Sequence, residues 1–103
     1  MSDAMSLVIV WEFRVRPGHV AAFEAVYGPE GDWARLFARS PAYAGTELLR
    51  DPSIEGRYLT LDRWASLEAF EELRRVHAAD YEALDATCEA WTEAETKIGV
   101  WVG

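Results

Sequence analysis

Asparagine and glutamine are absent from this chain of 103 residues, and cysteine occurs once, as Cys88. A single cysteine excludes an internal disulfide and any zinc site built from several thiolates. Histidine is nearly as scarce, since only His19 and His77 are present, and neither has a second His or Cys at ligand spacing. We therefore predict no metal site, and we interpret Cys88 as a small buried hydrophobic residue.

The chain also has few positively charged residues and no long apolar run. Ten Lys and Arg stand against 18 Asp and Glu, and the formal net charge of −8 disfavours nucleic-acid and anionic-membrane partners. The longest apolar run, Leu7 to Trp11, is far shorter than the roughly 20 residues of a membrane span. No basic-then-apolar signal segment is visible. The sequence predicts a soluble, cytoplasmic protein with no nucleic-acid or membrane partner.

What the chain does contain is typical of one globular domain. Half of the residues are apolar and 13% are aromatic, which suffices for one hydrophobic core at this length. Residues 1–6 show no periodicity and predict a flexible N-terminal tail, so the domain is expected to span residues 7–103. No glycine-rich phosphate loop or nucleophile elbow is present, and we expect no cofactor.

Alternating and helical patterns follow one another along the chain. Period-two alternation predicts strands over 8–15, 43–51, 57–64 and 92–103. Helical spacing predicts a helix over 19–27, a short second helix capped by Asp32, and a long helix that begins after the N-cap Ser66 and runs to about Trp91. In the long helix, one stripe faces the sheet and consists of Phe70, Leu73, His77, Tyr81, Leu84 and Cys88.

This order predicts the ferredoxin-like α+β fold. Two right-handed βαβ crossovers joined by a hairpin give a βαββαβ chain with a four-stranded antiparallel sheet and all helices on one face. The other face of the sheet then carries apolar side chains such as Val8 and Val10, which would meet water unless a second copy covered them. We therefore expect a homodimer.

Several segments resemble the antibiotic biosynthesis monooxygenase family of dimeric α/β-barrel proteins. They are residues 11–15 (WEFRV) with Pro17-Gly18, residues 27–33 (YGPEGDW), residues 45–50 (GTELLR), and residues 58–64 (YLTLDRW) with Ser66 and residues 68–70 (EAF). The resemblance implies two sheets packed face to face and a pocket in each subunit between sheet and helices. It also implies cofactor-free oxidation of small phenolic or polyketide-like aromatic molecules. The haem-degrading branch of the family relies on an asparagine that this sequence lacks.

The spacing also predicts which residues line the pocket. His77 and Tyr81 lie four residues apart on the predicted stripe and are the predicted catalytic pair, because an imidazole is a suitable general base. The predicted substrate-binding residues are Trp64, Tyr58, Trp11, Phe70, Leu73 and Leu84. The plainer alternatives are that His77 lies satisfied at a rim, that Trp64 plugs the space between sheet and helix, and that Trp11 belongs to the core.

Two hypotheses for function remain. The first is a cofactor-independent monooxygenase, or a related catalyst, that acts on a small aromatic substrate. The second is a non-catalytic module for small-ligand binding or dimerisation on the same barrel. An apolar cavity of about 300 Å³ or more with His77 or Tyr81 pointing into it would support the first, whereas a filled interior would support the second.

Overall fold

The computed structural model describes residues 6–103. Four strands and four helices follow one another as β1 (Leu7–Val15), α1 (Val20–Tyr27), α2 (Asp32–Phe37), β2 (Tyr43–Arg50), β3 (Arg57–Trp64), α3 (Leu67–Val76), α4 (Ala78–Glu89) and β4 (Thr92–Val102). The strands form one antiparallel sheet in the order β2-β3-β1-β4. This is the predicted ferredoxin-like α+β arrangement.

The strand register divides the sheet into two faces, because residues directly opposite each other point the same way. Ile9 pairs with Asp62, Trp11 with Thr60 and Phe13 with Tyr58 on the face that we call the covered face. The alternate positions form the open face, with Val8, Val10, Leu59 and Leu61 at its centre and Leu49 and Trp101 towards its edges.

The hydrophobic core lies between the covered face and the helices. Each helix contributes a buried side chain to it: Phe23 from α1, Phe37 from α2, Leu73 from α3 and Cys88 from α4. Phe23 is fully buried and its ring stacks on Tyr27 with a centroid distance of 4.1 Å. The predicted apolar stripes therefore identify most of the core correctly, including Cys88, which is 1% exposed, whereas His77 of the long stripe does not belong to the core.

The predicted cap of the second helix is wrong. Gly31 is the N-cap residue of α2, and its extended backbone starts the helix without a side-chain cap. Asp32 is the first helical residue, and its carboxylate accepts a hydrogen bond from Arg35 at 3.0 Å. Gly31 fits here because a Cβ at this position would lie 2.3 Å from the Val26 carbonyl oxygen, so the chain turns more tightly than an Asp N-cap would allow.

The prediction of one long helix is also wrong, since the chain bends at His77. This residue separates α3 from α4 with φ −110° and ψ 36°, although its N–H still donates to the Leu73 carbonyl at 2.9 Å. Neither proline nor glycine marks the bend. Arg39 bridges to it from the segment after α2, since Nη1 donates to Asp80 Oδ2 at 2.7 Å and lies 3.2 Å from His77 Nδ1. Apolar spacing continues across the bend and therefore does not reveal it.

The N-terminal prediction falls largely on residues 1–5, which lie outside the described residues. Ser6 extends the pairing of β1 with the edge strand β4, because its carbonyl accepts from the Gly103 N–H at 3.1 Å and its hydroxyl donates to the Gly103 carbonyl at 2.8 Å. Over residues 6–103, no helix is long and apolar enough to cross a membrane.

Candidate functional site

A half-open cavity of about 160 Å³ lies between the covered face and the helices. Its walls are largely aromatic and are contributed by both layers: Trp11, Phe13, Tyr27, Trp33, Phe37 and Tyr81. Edge-on packing of Trp33 against Tyr81, with ring centroids 4.9 Å apart, holds α2 against α4 beside the cavity. The cavity is smaller than 300 Å³ and yet is not filled by side chains. The volume therefore does not distinguish the two functional hypotheses. The polar groups that line the cavity are more informative.

One carboxylate of the cavity is desolvated. Asp62 lies on β3 with its side chain on the covered face, and burial raises the pKa of this carboxyl from 3.8 to about 6. A hydrogen bond from Thr46 acts in the opposite direction, because it favours the ionised form. The result is a carboxylate that is ionised at neutral pH and more basic than an ordinary aspartate.

A chain of hydroxyl groups supports this carboxylate. Thr46 is the cross-strand partner of Asp62 and donates from Oγ1 to Oδ1 at 2.6 Å. The Tyr43 hydroxyl lies 2.5 Å from Thr46 Oγ1. Within residues 6–103, Oδ1 is the only oxygen of Asp62 with a side-chain hydrogen bond, so Oδ2 is the oxygen left for a ligand.

Thr60 adds a hydroxyl beside Asp62. It lies two positions before Asp62 on the same face of β3, lines the cavity and is 4% exposed. Its hydroxyl makes no hydrogen bond to any residue in the described part of the chain. A hydroxyl that lines a cavity and has no protein partner can donate to and accept from a bound molecule, so Thr60 offers a polar contact to a ligand.

Charged groups on the other elements complete the lining. Arg74 of α3 lies over the Tyr81 ring at 5.0 Å from its centroid, the geometry of a cation–π contact. Asp85 of α4 and Glu95 of β4 also line the cavity. Burial, followed by the nearby Asp85 and Glu89, raises the pKa of Glu95, and burial raises the pKa of the Tyr81 hydroxyl, which therefore stays protonated at neutral pH.

The family model for antibiotic biosynthesis monooxygenases matches residues 6–95. This range includes every residue that lines the cavity and every element except the end of β4. The chain belongs to the antibiotic biosynthesis monooxygenase family.

Solved structures share the fold of this family member over nearly its whole length. SnoaB from Streptomyces nogalater, described as a cofactor-independent oxygenase, is 23% identical with a TM-score of 0.76, and the match covers 97% of this chain and 94% of that one. Protein SO0527 from Shewanella oneidensis is 16% identical with a TM-score of 0.71, and the match covers 98% and 93% of the two chains. None of the curated protein sequences matches this family member.

The structure brings only part of the predicted site together. Tyr81 and Trp11 line the cavity, whereas His77 lies at the bend beside Arg39 and is not part of the lining. Tyr58 is 2% exposed, and its hydroxyl donates to Glu24. The catalytic role of His77 stays a prediction, and the imidazole is not among the side chains that line the cavity with Tyr81.

Four further residues of the predicted site belong to the core or pack against it. Trp64 is fully buried, packs on Phe70 with ring centroids 5.4 Å apart, and leaves its Nε1 without a hydrogen-bond partner among the described residues. Leu73 is buried and Leu84 is partly buried against the core. None of the four lines the cavity. The position of Trp64 agrees with the plainer alternative, in which its indole fills the space between the sheet and the helix.

The spacing argument missed the polar groups on the sheet. The alternation of residues 57–64 puts Asp62 on the same face as Tyr58 and Trp64, so its carboxylate is expected on the core-facing side of the strand. An acidic residue at such a position is the signal that could have identified it. Thr46 and Thr60 gave no comparable signal, because threonine is common on both faces of strands.

No group of three or more His, Cys, Asp or Glu residues that could hold a metal ion occurs within residues 6–103. Cys88 lies behind the cavity wall near Tyr27, and burial raises the pKa of its thiol.

Proposed function

We propose that this protein is a cofactor-independent monooxygenase that oxidises a small hydroxylated aromatic molecule, with Asp62 as the general base. The observation that carries the proposal is a carboxylate with a pKa of about 6 in an aromatic cavity. A base of this strength is largely ionised at neutral pH and is a better proton acceptor than an exposed aspartate. Family membership and the likeness to SnoaB support the reaction class.

In the first step, Asp62 Oδ2 takes the proton of the substrate hydroxyl. The phenolate that forms is electron-rich, and hydroxyl groups of the cavity can hold its oxygen. Thr60, which has no partner among the described residues, and Tyr81, whose hydroxyl is protonated, are the proposed donors. Donors fixed in advance stabilise the developing anion without having to reorganise.

In the second step, the phenolate itself reduces dioxygen. One electron passes from the ring to O₂, and the two radicals combine at the ring carbon opposite the phenolate oxygen to form a peroxide. The peroxide takes the proton back from Asp62. Asp62 then removes the hydrogen at that carbon while the O–O bond breaks. One oxygen atom stays as a carbonyl. The other leaves as hydroxide, which takes the ring proton from Asp62 and becomes water, so that Asp62 is again ionised.

Cavity size limits the substrate. An apolar cavity of about 150 Å³ accommodates one benzene ring, and this cavity of about 160 Å³ is open at one side. We therefore propose substrates with one or two rings, of which part can extend through the opening. A naphthol fits this description better than a three-ring anthrone.

Oxygen uptake and quinone formation test the proposal with phenol, 1-naphthol and anthrone as substrates. We expect the wild-type protein to turn over 1-naphthol fastest, and Asp62→Asn to lower kcat at least about 100-fold through loss of the base. Glu47→Gln is the matched control, because Glu47 lies on the neighbouring strand with an exposed carboxylate paired to Arg63. Equal turnover by Asp62→Asn and wild type would contradict the role of Asp62.

The second hypothesis is a non-catalytic ligand-binding module that uses the same cavity. It predicts that 1-naphthol binds with no oxygen uptake by the wild-type protein. Calorimetric titration with 1-naphthol under nitrogen, followed by the same sample in air, separates the two hypotheses.

A further inference from the structure

The hydroxyl chain behind Asp62 has a fixed direction. An ionised carboxylate can only accept hydrogen bonds, so the single hydroxyl hydrogen of Thr46 is used on Oδ1. The oxygen of Thr46 must then accept from the Tyr43 hydroxyl, 2.5 Å away. Burial raises the pKa of Tyr43, which keeps this hydroxyl a donor at neutral pH.

An irregularity of the sheet builds this chain. Tyr43 and Thr46 are three residues apart, a spacing that places side chains on opposite faces of a regular strand. The pairing of β2 with β3 shifts register between Tyr43 and Gly45, and Gly45 has φ +120°. This bulge turns Tyr43 to the covered face, where it pairs with Trp64, while Thr46 remains opposite Asp62. Bulges commonly re-aim a side chain in this way beside functional sites.

We propose that Thr46, backed by Tyr43, is a positioning residue that occupies Asp62 Oδ1 and so presents Oδ2 to the substrate. This inference rests on the proposed function for its catalytic consequence. The hydrogen-bonded arrangement has a consequence of its own, because a donor to Oδ1 favours the ionised carboxylate. Loss of the donor makes Asp62 harder to ionise and leaves its orientation unfixed.

The other groups around Asp62 do not replace this donor. The charged and titratable side chains that face the cavity from the remaining elements are Tyr27 of α1, Arg74 of α3, Tyr81 and Asp85 of α4, and Glu95 of β4. None of these makes a hydrogen bond or an ion pair with Asp62 within residues 6–103. Thr46 is therefore the contact whose removal should change the behaviour of Asp62 most.

Carboxyl-carbon NMR titration of Asp62 provides a test that needs no turnover. We expect Thr46→Val to raise the measured pKa of Asp62 by about 1, the effect of losing one charge-assisted hydrogen bond. Thr46→Ser keeps the hydroxyl and should restore the wild-type value, while Tyr43→Phe should raise the pKa by less than Thr46→Val does. Thr96→Val is the matched control, because Thr96 lies on a strand with Glu12 as its partner on the open face. An unchanged titration in Thr46→Val would overturn the proposal.

Kinetics on 1-naphthol test the catalytic consequence. We expect Thr46→Val to move the acidic limb of the kcat/KM profile to higher pH, and to lower kcat at pH 8 about tenfold while KM changes less than threefold. Thr46→Ser should restore both. If Asp62-dependent turnover exists but neither the limb nor kcat changes in Thr46→Val, the positioning role is wrong and the proposed function stands. If wild type shows no turnover, the proposed function fails and the titration alone decides whether Thr46 holds Asp62.

Discussion

At the scale of single residues, two opposing effects set the properties of Asp62. Burial raises its pKa to about 6, and the Thr46 hydrogen bond limits the rise. Because the folded chain holds the proton more tightly than the unfolded chain, the stabilising contribution of this group is complete below about pH 4. It is lost as the pH rises through about 6. Above about pH 6, where Asp62 is ionised and could act as a base, its carboxylate therefore destabilises the folded protein.

Asp62→Asn should therefore stabilise the folded protein at neutral and higher pH. The amide carries no charge and can still accept the Thr46 hydrogen bond, so we expect a gain of about 2 kcal/mol in the free energy of unfolding at pH 8. The gain should shrink as the pH is lowered through 6 towards 4. Urea unfolding of both proteins at a series of pH values measures this, and a gain that is independent of pH would contradict the assigned burial of the charge.

His77 and Asp62 can be compared directly as candidate bases. The spacing of His77 and Tyr81 favours the imidazole, whereas the cavity contains the carboxylate and not His77. We expect His77→Ala to retain turnover within about threefold and Asp62→Asn to lose it at least about 100-fold. Steady-state oxygen uptake on 1-naphthol by both variants measures the difference. The reverse order of losses would assign the base to His77.

At the scale of elements, strands were predicted closely because alternation reports directly which residues face the core. The span of β3 was predicted as residues 57–64, as observed. Helix starts and bends were harder, because they depend on backbone hydrogen bonds and turns that apolar spacing does not record. The bend at His77 and the bulge at Gly45 are two such features.

The two predicted caps can be compared by experiment. Ser66 accepts a hydrogen bond from the Ala69 N–H at 3.1 Å, whereas Asp32 caps no backbone group of α2. We expect Ser66→Ala to lower the free energy of unfolding by about 1 kcal/mol. Asp32→Ala should change it by no more than about 0.5 kcal/mol, because its pair with Arg35 is exposed. Urea unfolding at pH 7 measures both free energies. A loss for Asp32→Ala clearly above this limit would indicate that Asp32 does cap α2.

At the scale of the whole molecule, the open face of the sheet is the feature that calls for a partner. Trp101 is 50% exposed and Leu49 is 47% exposed, and they flank the aliphatic centre of that face. We predict a homodimer, with a mass in solution of twice 11.6 kDa. Light scattering at micromolar concentration should show it, and a mass near that of one chain would contradict it.

A charge on the open face should separate the subunits. Trp101→Asp is expected to give folded monomers, because the carboxylate would be buried without a partner in the dimer but solvated in the monomer. Val76→Asp is the matched control on α3, since Val76 is 59% exposed and lies on the helical side. A Trp101→Asp protein that remains dimeric would show that the subunits meet elsewhere.

The sequence allowed the fold and the family to be predicted, but only part of the cavity. Tyr81 and Trp11 were predicted because helical and strand spacing places them on core-facing sides. Asp62 was not predicted as a site residue, because an alternating pattern does not distinguish a functional carboxylate from an irregular position in the strand. Its role as a base follows only from the cavity that surrounds it. Thr46 and Tyr43 could not be predicted, since the bulge that brings their hydroxyls together arises from the pairing of β2 with β3.

The pH dependence of oxygen uptake tests the assignment of Asp62 as the base most directly. For 1-naphthol, kcat/KM of the wild-type protein should rise with increasing pH through a single limb centred at about pH 6, the pKa of Asp62. Asp62→Asn should keep only a residual rate without that limb, while Glu47→Gln should retain it. A limb of the same midpoint and height in Asp62→Asn would show that another group removes the proton.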